Sequence, residues 1–442
     1  MKKLHIGIIS APNPGHLYPI SSFAQYFIEL GHIATVYNII DAAHFVRNQN
    51  INFKAIGVKE YPKGSWTRKW DKAAKSSNFA TDFGVLKVHI EISKIMLSEI
   101  PNLLLKDKVD FLIVDHLQPQ GRTISELVSI PYITFASTLT LYPDYSGLRP
   151  PILFGTTPAK SLFRRLWYII GHYVESLLSK YYLIHVNNFA RRHSLGIMHN
   201  IVESFSSIME IGLVPKELDF PNPQIPAQFR YIRFLPRREK RIDFPWEKIQ
   251  NNMLIYVSFG TIRNKFKKLY AVVINALDHM DNIQVIISKG AWHGNGIDIN
   301  CHQDKFVVVD YAPQQEILKK ATICITHAGT NTIIECIKEK VPMLAIPLAD
   351  DQQSMAARVQ FQKIGEVLSL RKLNENSIQE KIDLLLDSKL YRENISNLCD
   401  NIKKQSDIHI IVGDILKRIE SIQILNHGGP APIGLNRLRT KE

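Results

Sequence analysis

The stretch Ile323-Cys324-Ile325-Thr326-His327-Ala328-Gly329-Thr330-Asn331-Thr332, with Glu335 three residues further on, decides how this chain folds. Its first four residues are apolar or β-branched and predict a short strand buried on both faces. A glycine-containing turn follows, and a helix carrying Glu335 is expected to start near Thr332. A buried strand that feeds a helix through a tight turn is the unit of a parallel α/β sheet. In such sheets ligands sit beyond the carboxyl ends of the strands, where free N–H groups and the positive end of the helix dipole favour an anion such as a diphosphate. Thr330 and Thr332 add hydroxyls, His327 adds an imidazole N–H, and Glu335 is an acceptor one turn into the helix. The plainer alternative is that Asn331 or Thr332 caps the helix and does nothing more.

Working outward, the same alternation recurs on both sides. Residues 254–259, 283–288, 306–309 and 343–347 are further short apolar runs. In the first half, residues 5–10, 33–38, 111–115 and 132–136 read the same way, and residues 20–30 carry apolar side chains at helical spacing up to Gly31-His32. Between the halves, Pro221, Pro223, Pro226, Pro236 and Pro245 interrupt a stretch with little periodicity. At 442 residues the chain is too long for one ordinary core. The expected organisation is two doubly wound parallel-sheet α/β domains, residues 1–218 and 249–424, joined by a Pro-rich crossing at 219–248. A tail at 425–442 lacks apolar periodicity and is expected to be disordered.

Lys and Arg number 54 against 41 Asp and Glu, a formal charge of +13. A basic surface attracts nucleic acid, an anionic membrane face or an anionic nucleotide. The charges are scattered apart from one cluster at residues 237–241, and no aromatic–basic interleaving is present, so nucleic acid is not an expected partner. Four cysteines (Cys301, Cys324, Cys336, Cys399) match neither a zinc pattern nor a disulfide framework, which points to a reducing, cytoplasmic compartment. The N-terminal apolar run is too brief for a secretion signal and reads as a first strand. Residues 166–186 are interrupted by His172, Glu175, Lys180 and His185 and make a poor membrane span, though an amphipathic or a buried core helix fits. A soluble protein, at most peripheral to a membrane, is expected.

Three further places carry candidate chemistry. In Tyr311-Ala312-Pro313-Gln314 an aromatic ring precedes a rigid turn and can stack on a flat base, while Gln314 offers both a donor and an acceptor. Pro347-Leu348-Ala349-Asp350-Asp351-Gln352 ends another strand with groups suited to sugar hydroxyls. Gly260-Thr261, after the run Tyr256-Val257-Ser258-Phe259, is a second glycine turn, or an ordinary strand-to-helix link. On the N-terminal side, His16 in Pro14-Gly15-His16-Leu17-Tyr18-Pro19 leaves the first strand. A histidine oriented by a carboxylate can deprotonate a hydroxyl at neutral pH. Asp115, in Ile113-Val114-Asp115-His116, is the candidate carboxylate or else a helix cap, and His116 is a second candidate base.

Residues 311–352 resemble the C-terminal signature of the family-1 glycosyltransferases, which use uridine diphosphate sugars. That signature runs aromatic-Ala-Pro-Gln, then His-x-Gly-x-Asn-Ser/Thr, a Glu four residues after the Asn, and Asp-Gln after a Pro. The resemblance implies the GT-B fold, two Rossmann-like domains facing a central cleft. It implies that Tyr311 stacks on uracil and Gln314 bonds its edge. Phosphate contacts would come from His327, Gly329, Asn331 and Thr332, with Gly260 and Thr261 close by, ribose contact from Glu335, and sugar contacts from Asp351 and Gln352. The family's catalytic histidine lies in a Gly-His-x-x-Pro pattern, which His16 matches, and Asp115 would support it. Tyr311 and Thr330 depart from plant members, which have Trp at both places, and this leaves the sugar open. The family stabilises the leaving diphosphate with a helix dipole and side chains, and no Asp-x-Asp motif is present, so neither metal nor cofactor is expected.

Asp115-His116-Leu117-Gln118-Pro119-Gln120-Gly121, Pro150-Pro151, Leu218-Asp219-Phe220-Pro221 and Gly365-Glu366-Val367 resemble bacterial zeaxanthin glucosyltransferases. That likeness implies transfer of glucose to a small apolar hydroxylated acceptor such as a carotenoid, approached at a membrane surface. Phenolic or macrolide-like acceptors, and an inactive sugar-nucleotide-binding relative, are the competing readings. A dinucleotide oxidoreductase is disfavoured because the first turn, Ser10-Ala11-Pro12-Asn13-Pro14-Gly15-His16, has one glycine where Gly-x-Gly-x-x-Gly needs three.

Overall fold

A computed structural model describes residues 2–46, 50–73, 79–222, 224–235, 242–250, 253–260, 267–290, 304–349 and 351–427. The strands are β1 (His5–Ile9), β2 (Ile33–Ile39), β3 (Asn52–Ile56), β4 (Phe111–Asp115), β5 (Tyr132–Ala136), β6 (Glu210–Gly212), β7 (Phe229–Tyr231), β8 (Leu254–Ser258), β9 (Gln284–Ser288), β10 (Phe306–Val309), β11 (Ile323–Thr326), β12 (Met343–Ala345) and β13 (Gly365–Val367). The helices are α1 (Pro14–Glu29), α2 (Ser65–Ala73), α3 (Phe79–Asp107), α4 (Gln120–Val128), α5 (Leu162–Arg192), α6 (Lys267–Asp278), α7 (Gln314–Leu318), α8 (Thr330–Lys338), α9 (Gln352–Phe361), α10 (Glu375–Asp387), α11 (Lys389–Lys403) and α12 (Ile408–His427).

The strands form two parallel sheets, one in the order β3-β2-β1-β4-β5-β6-β7 and one in the order β10-β9-β8-β11-β12-β13. Helices cover them, so strands such as β4 and β8 are buried along their whole length. Each fully buried Ile, Leu or Phe contributes about 1.5–3 kcal/mol to holding these layers together. Both sheets reverse direction of growth beside their first strand, between β1 and β4 and between β8 and β11. Such a switch point splays the outgoing loops apart and opens a crevice beyond the strands. These are the two Rossmann-like domains that the sequence implies.

The sequence places most strands within a residue or two. It misses β3, β6, β7 and β13, which are short or, for β3, β7 and β13, lie at a sheet edge, where little hydrophobic patterning is required. The strand β7 lies inside the Pro-rich stretch 219–248 and pairs with β6. Two helices begin earlier than their periodicity suggests. Helix α1 starts at Pro14 instead of near residue 20, because a proline at the first helical position loses no hydrogen bond. Helix α8 starts at Thr330 instead of Thr332.

Helix α12 returns to the first domain, where Ile408, Ile411, Val412, Ile415 and Ile419 join the core around β1 and α1. Residues 428–442 of the expected tail lie outside the described residues, as does the basic cluster 237–241. Asp219 stands where the two domains meet. Its carboxylate accepts from Arg358 Nε at 2.9 Å and Nη2 at 2.6 Å, and from Arg149 Nη2 at 3.4 Å, all three residues being buried. Burial alone would raise the Asp219 pKa, but the two guanidinium groups hold it below its ordinary value. Removing one member would leave a buried charge without its partner. Cys324, Cys336 and Cys399 are free thiols. Among the described residues no helix is long and apolar enough to cross a membrane.

Candidate active site

Strand β1 delivers the chain to α1, whose first turn carries His16. Its Nδ1 lies 2.7 Å from Oδ2 of Asp115, the last residue of the neighbouring β4. The same oxygen accepts from Ser137 Oγ at 2.9 Å and Ser10 Oγ at 3.3 Å, and Oδ1 accepts from the Leu117 N–H at 2.9 Å. Ser137 Oγ is also 2.6 Å from His16 Nδ1. A proton on Nδ1, shared between the carboxylate and the Ser137 oxygen, satisfies all three groups and leaves Nε2 as the basic nitrogen. Burial would lower the His16 pKa, but Asp115, with a smaller effect from Asp351, keeps it above the ordinary 6.5. Burial would raise Asp115, and His16 together with its hydrogen bonds brings it to about 2. His116 is buried, pushed down to about 4 by desolvation, and its Nε2 lies 3.2 Å from Thr138 Oγ1.

The second domain answers with two strand exits. After β8, Gly260 has φ +78°. A side chain there would be strained, and a Cβ would stand 2.7 Å from His327 Nε2. A Cβ on Gly329, at the start of α8, would stand 2.6 Å from the same atom. The His327 ring is therefore held between two glycines. Burial lowers its pKa to about 4, against a smaller opposing bond to the Ser258 backbone, so at pH 7 it is a neutral donor.

Hydrogen bonds set the remaining side chains. Gln314 Oε1 accepts from the Tyr256 hydroxyl at 3.1 Å, while its Nε2 donates to Glu335 Oε2 at 2.5 Å and Thr332 Oγ1 at 3.3 Å. Gln315 Nε2 donates to Glu335 Oε1 at 3.3 Å. Thr330 Oγ1 donates to Asp351 Oδ2 at 3.0 Å, whose pKa burial raises. Gln352 Oε1 accepts from the Leu348 and Ala349 N–H groups at 2.9 and 3.0 Å, which leaves its amide nitrogen for a ligand.

A hydrogen bond joins α1 to α8 across the cleft. Pro19 lies inside α1 and has no N–H to give the carbonyl of Gly15, four residues earlier. That carbonyl instead accepts from Asn331 Nδ2, in the second domain, at 3.2 Å.

Between these surfaces lies a cavity of about 390 Å³. Its wall includes His16, Gly260, Tyr311, Gln314, His327, Gly329, Thr330, Asn331, Thr332, Asp351 and Gln352, so eleven residues singled out in the sequence converge there. Asp115 stands behind His16, and Glu335 stands behind Gln314 and Gln315. Thr261 lies outside the described residues. The first domain also lines the cavity with Trp70, Val85, His89, Leu141 and Ile152, none of them singled out in the sequence. Ser137 and Tyr256 were missed as well. Ser137 follows the last residue of β5, next to β4, and the exit of a neighbouring parallel strand is the signal that could have found it. Among the described residues no group of three or more His, Cys, Asp or Glu side chains is arranged to hold a metal ion.

Residues 65–409 match the family model described as UDP-glucoronosyl and UDP-glucosyl transferase. The chain belongs to this family. It is therefore a UDP-glycosyltransferase, and the two-domain architecture is the GT-B fold. It is similar to the zeaxanthin glucosyltransferase of Pantoea ananas, with 26% identity over 371 residues that cover 82% of this chain and 84% of that protein. Among solved structures, the glycotransferase of kitacinnamycin superimposes with a TM-score of 0.72 at 17% identity, covering 95% of this chain and 100% of that one. The glycosyltransferase VinC in complex with dTDP gives a TM-score of 0.67 at 15% identity, again over 95% and 100%. These two likenesses extend to the fold.

Proposed function

We propose that this glycosyltransferase moves glucose from UDP-glucose to a hydroxyl of an apolar, carotenoid-like acceptor, with inversion at the anomeric carbon. The observation that carries the proposal is the His16–Asp115–Ser137 cluster facing the N-terminus of α8 across one cavity. In the step, His16 Nε2 takes the proton from the acceptor hydroxyl. The oxygen forms a bond to the anomeric carbon while the bond from that carbon to the diphosphate oxygen breaks on the opposite face. UDP leaves with the electron pair, and Asp115 stabilises the imidazolium that results.

The donor is assigned to the second domain, with the uracil on Tyr311 and Gln314 and the ribose towards Glu335. The diphosphate is assigned to Gly260, His327, Gly329, Thr330, Asn331 and Thr332, with Thr261 following Gly260 in the sequence, while the sugar meets Asp351 and Gln352. The free N–H groups and dipole of α8 supply the positive field a leaving diphosphate needs. Transfer should therefore persist in a chelator, and a strict requirement for a divalent cation would contradict this part of the reading. Trp70, Val85, Leu141 and Ile152 make the acceptor end apolar, and the relative from Pantoea ananas bears the name of an enzyme acting on such an acceptor. We place the enzyme in the cytoplasm, working peripherally at the inner membrane face. Phenolic and macrolide-like acceptors are the competing reading, so the acceptor carries the decisive test. Labelled UDP-glucose should yield a hexosylated carotenoid diol by mass spectrometry, with inverted anomeric configuration by NMR. Product from a simple phenol alone would overturn the acceptor, and labelled glucose transferred to no hydroxyl at all would favour an inactive binding protein.

A further inference from the structure

Helix α5 is apolar on two sides. Its inner side, including Tyr168, Gly171, Leu183, Val186 and Ala190, is buried against the first domain. Its outer side is where a surface helix ordinarily carries polar residues. Here it holds eleven large apolar side chains between Leu162 and Ile184, each at least 39% exposed. Phe163, Leu166, Ile170, Tyr173 and Leu177 follow one another at three- and four-residue steps and, with Trp167 beside Leu166, form a single stripe, about 20 Å long at 1.5 Å per residue. At roughly 200 Å² for a large apolar side chain and the exposure of these six, the stripe leaves about 700 Å² in water. A soluble monomer rarely exposes more than a few hundred Å² in one patch.

The exposed charges on and beside this helix are all positive: Lys160, Arg164, Arg165, Lys180, Arg191 and Arg192. Glu175 is engaged locally, accepting the Leu153 N–H at 2.9 Å. A second copy of the chain is a poor partner for this face. Arginine pairs lie at both ends of the helix, so a two-fold pairing would set like charges together in either direction. An anionic bilayer meets both the stripe and the cations. The stripe is also continuous with the cavity. Ile152 lines the cavity, Leu153 next to it is 54% exposed, and Phe154 stacks on Trp167 with ring centroids 6.0 Å apart.

We propose that the outer face of α5 docks the enzyme on an anionic membrane surface, with the stripe at the boundary between headgroups and acyl chains and the acceptor end of the cavity beside it. The proposal deepens the peripheral location proposed above and rests on the acceptor only for what it delivers to the cavity. The test is sedimentation of the full chain with phosphatidylcholine vesicles, with and without phosphatidylglycerol, in the absence of donor and acceptor. Binding should require the anionic lipid and weaken as salt is raised. Leu166→Glu combined with Ile170→Glu and Leu177→Glu should lower partitioning at least tenfold while circular dichroism and melting stay unchanged. Arg164→Glu with Arg165→Glu should reduce binding to the level on neutral vesicles. Wild-type protein that ignores anionic vesicles would overturn the proposal, as would a dimer that the triple variant dissociates. Because no sugar is present, a wrong acceptor would leave this result standing. Failure here would leave transfer to a detergent-dispersed acceptor intact.

Discussion

The corner between β1 and α1 and the corner between β11 and α8 are built alike and behave in opposite ways. Each is a buried strand, a short turn and a helix, and each turns one histidine towards the same cavity. His16 is held above its ordinary pKa and His327 is pushed down to about 4. Desolvation acts on both. What differs is the exit of the neighbouring strand: β4 ends in Asp115 beside His16, whereas β8 runs out through Ser258 and Phe259 to Gly260 beside His327. Here the adjacent strand thus decides whether the turn histidine is held above its ordinary pKa or kept neutral.

The largest effect should come from deleting the proposed base. His16→Ala is expected to lower turnover by about 10²–10⁴-fold, measured as UDP release, while titration calorimetry finds UDP binding within about twofold of wild type. Asp115→Asn should cost somewhat less, about 100-fold, and it should also move the pH profile. A raised His16 pKa means that the protonated, non-basic form persists to higher pH, so wild-type kcat/KM should climb through a pKa above 6.5. Without the carboxylate, burial outweighs the smaller opposing effect of Asp351, and the acid limb should shift below that value. An acid limb that stays put in Asp115→Asn would break the contrast between the two corners.

On the donor side the effect should appear in binding. Adding a methyl group at Gly329 or Gly260 forces the His327 ring to move, at a cost of about 1–3 kcal/mol. Either alanine variant should raise the donor KM roughly tenfold or more and leave the acid limb unchanged, because His327 is already neutral. Gly260→Ala should be the worse of the two, since only Gly260 has a positive φ. A shifted acid limb in Gly329→Ala would mean that His327 shares in the ionisation assigned here to His16.

These corners also show what a sequence can carry. Buried strands such as β4 and β11 announce themselves by composition, and the turn residues after them are confined to a few types by the backbone. Hence the placement of His16, Asp115 and the residues from His327 to Thr332 at strand exits was legible. Ser137 was not, because a serine after a strand looks like any other turn serine until the neighbouring strand is known. The wall made by Trp70, Val85 and His89 was hidden for a similar reason: α2 and α3 are helices whose ordinary apolar patterning says nothing about which side chains end in the cavity. Helix α5 could be read as amphipathic or as buried, and it is apolar on both sides. Periodicity alone does not reveal which of two apolar faces lacks a partner.

The smallest expected effect concerns the bond that joins the two corners. Asn331 Nδ2 donates to the Gly15 carbonyl, which is free because Pro19 cannot. Asn331→Ala removes one such bond, worth about 1 kcal/mol, keeps the residue's backbone N–H for the diphosphate, and should lower kcat/KM about fivefold by loosening the approach of α1 to α8. Pro19→Ala returns an N–H to α1 and should remove an internal proline's penalty, so melting temperature should rise. The restored helical bond then competes with Asn331 for the same oxygen. In the Pro19→Ala background, Asn331→Ala should therefore cost less than in the wild type, and a double-mutant cycle on kcat/KM would measure the difference. Equal costs in both backgrounds would mean that the proline's missing donor is not what opens Gly15 to the other domain.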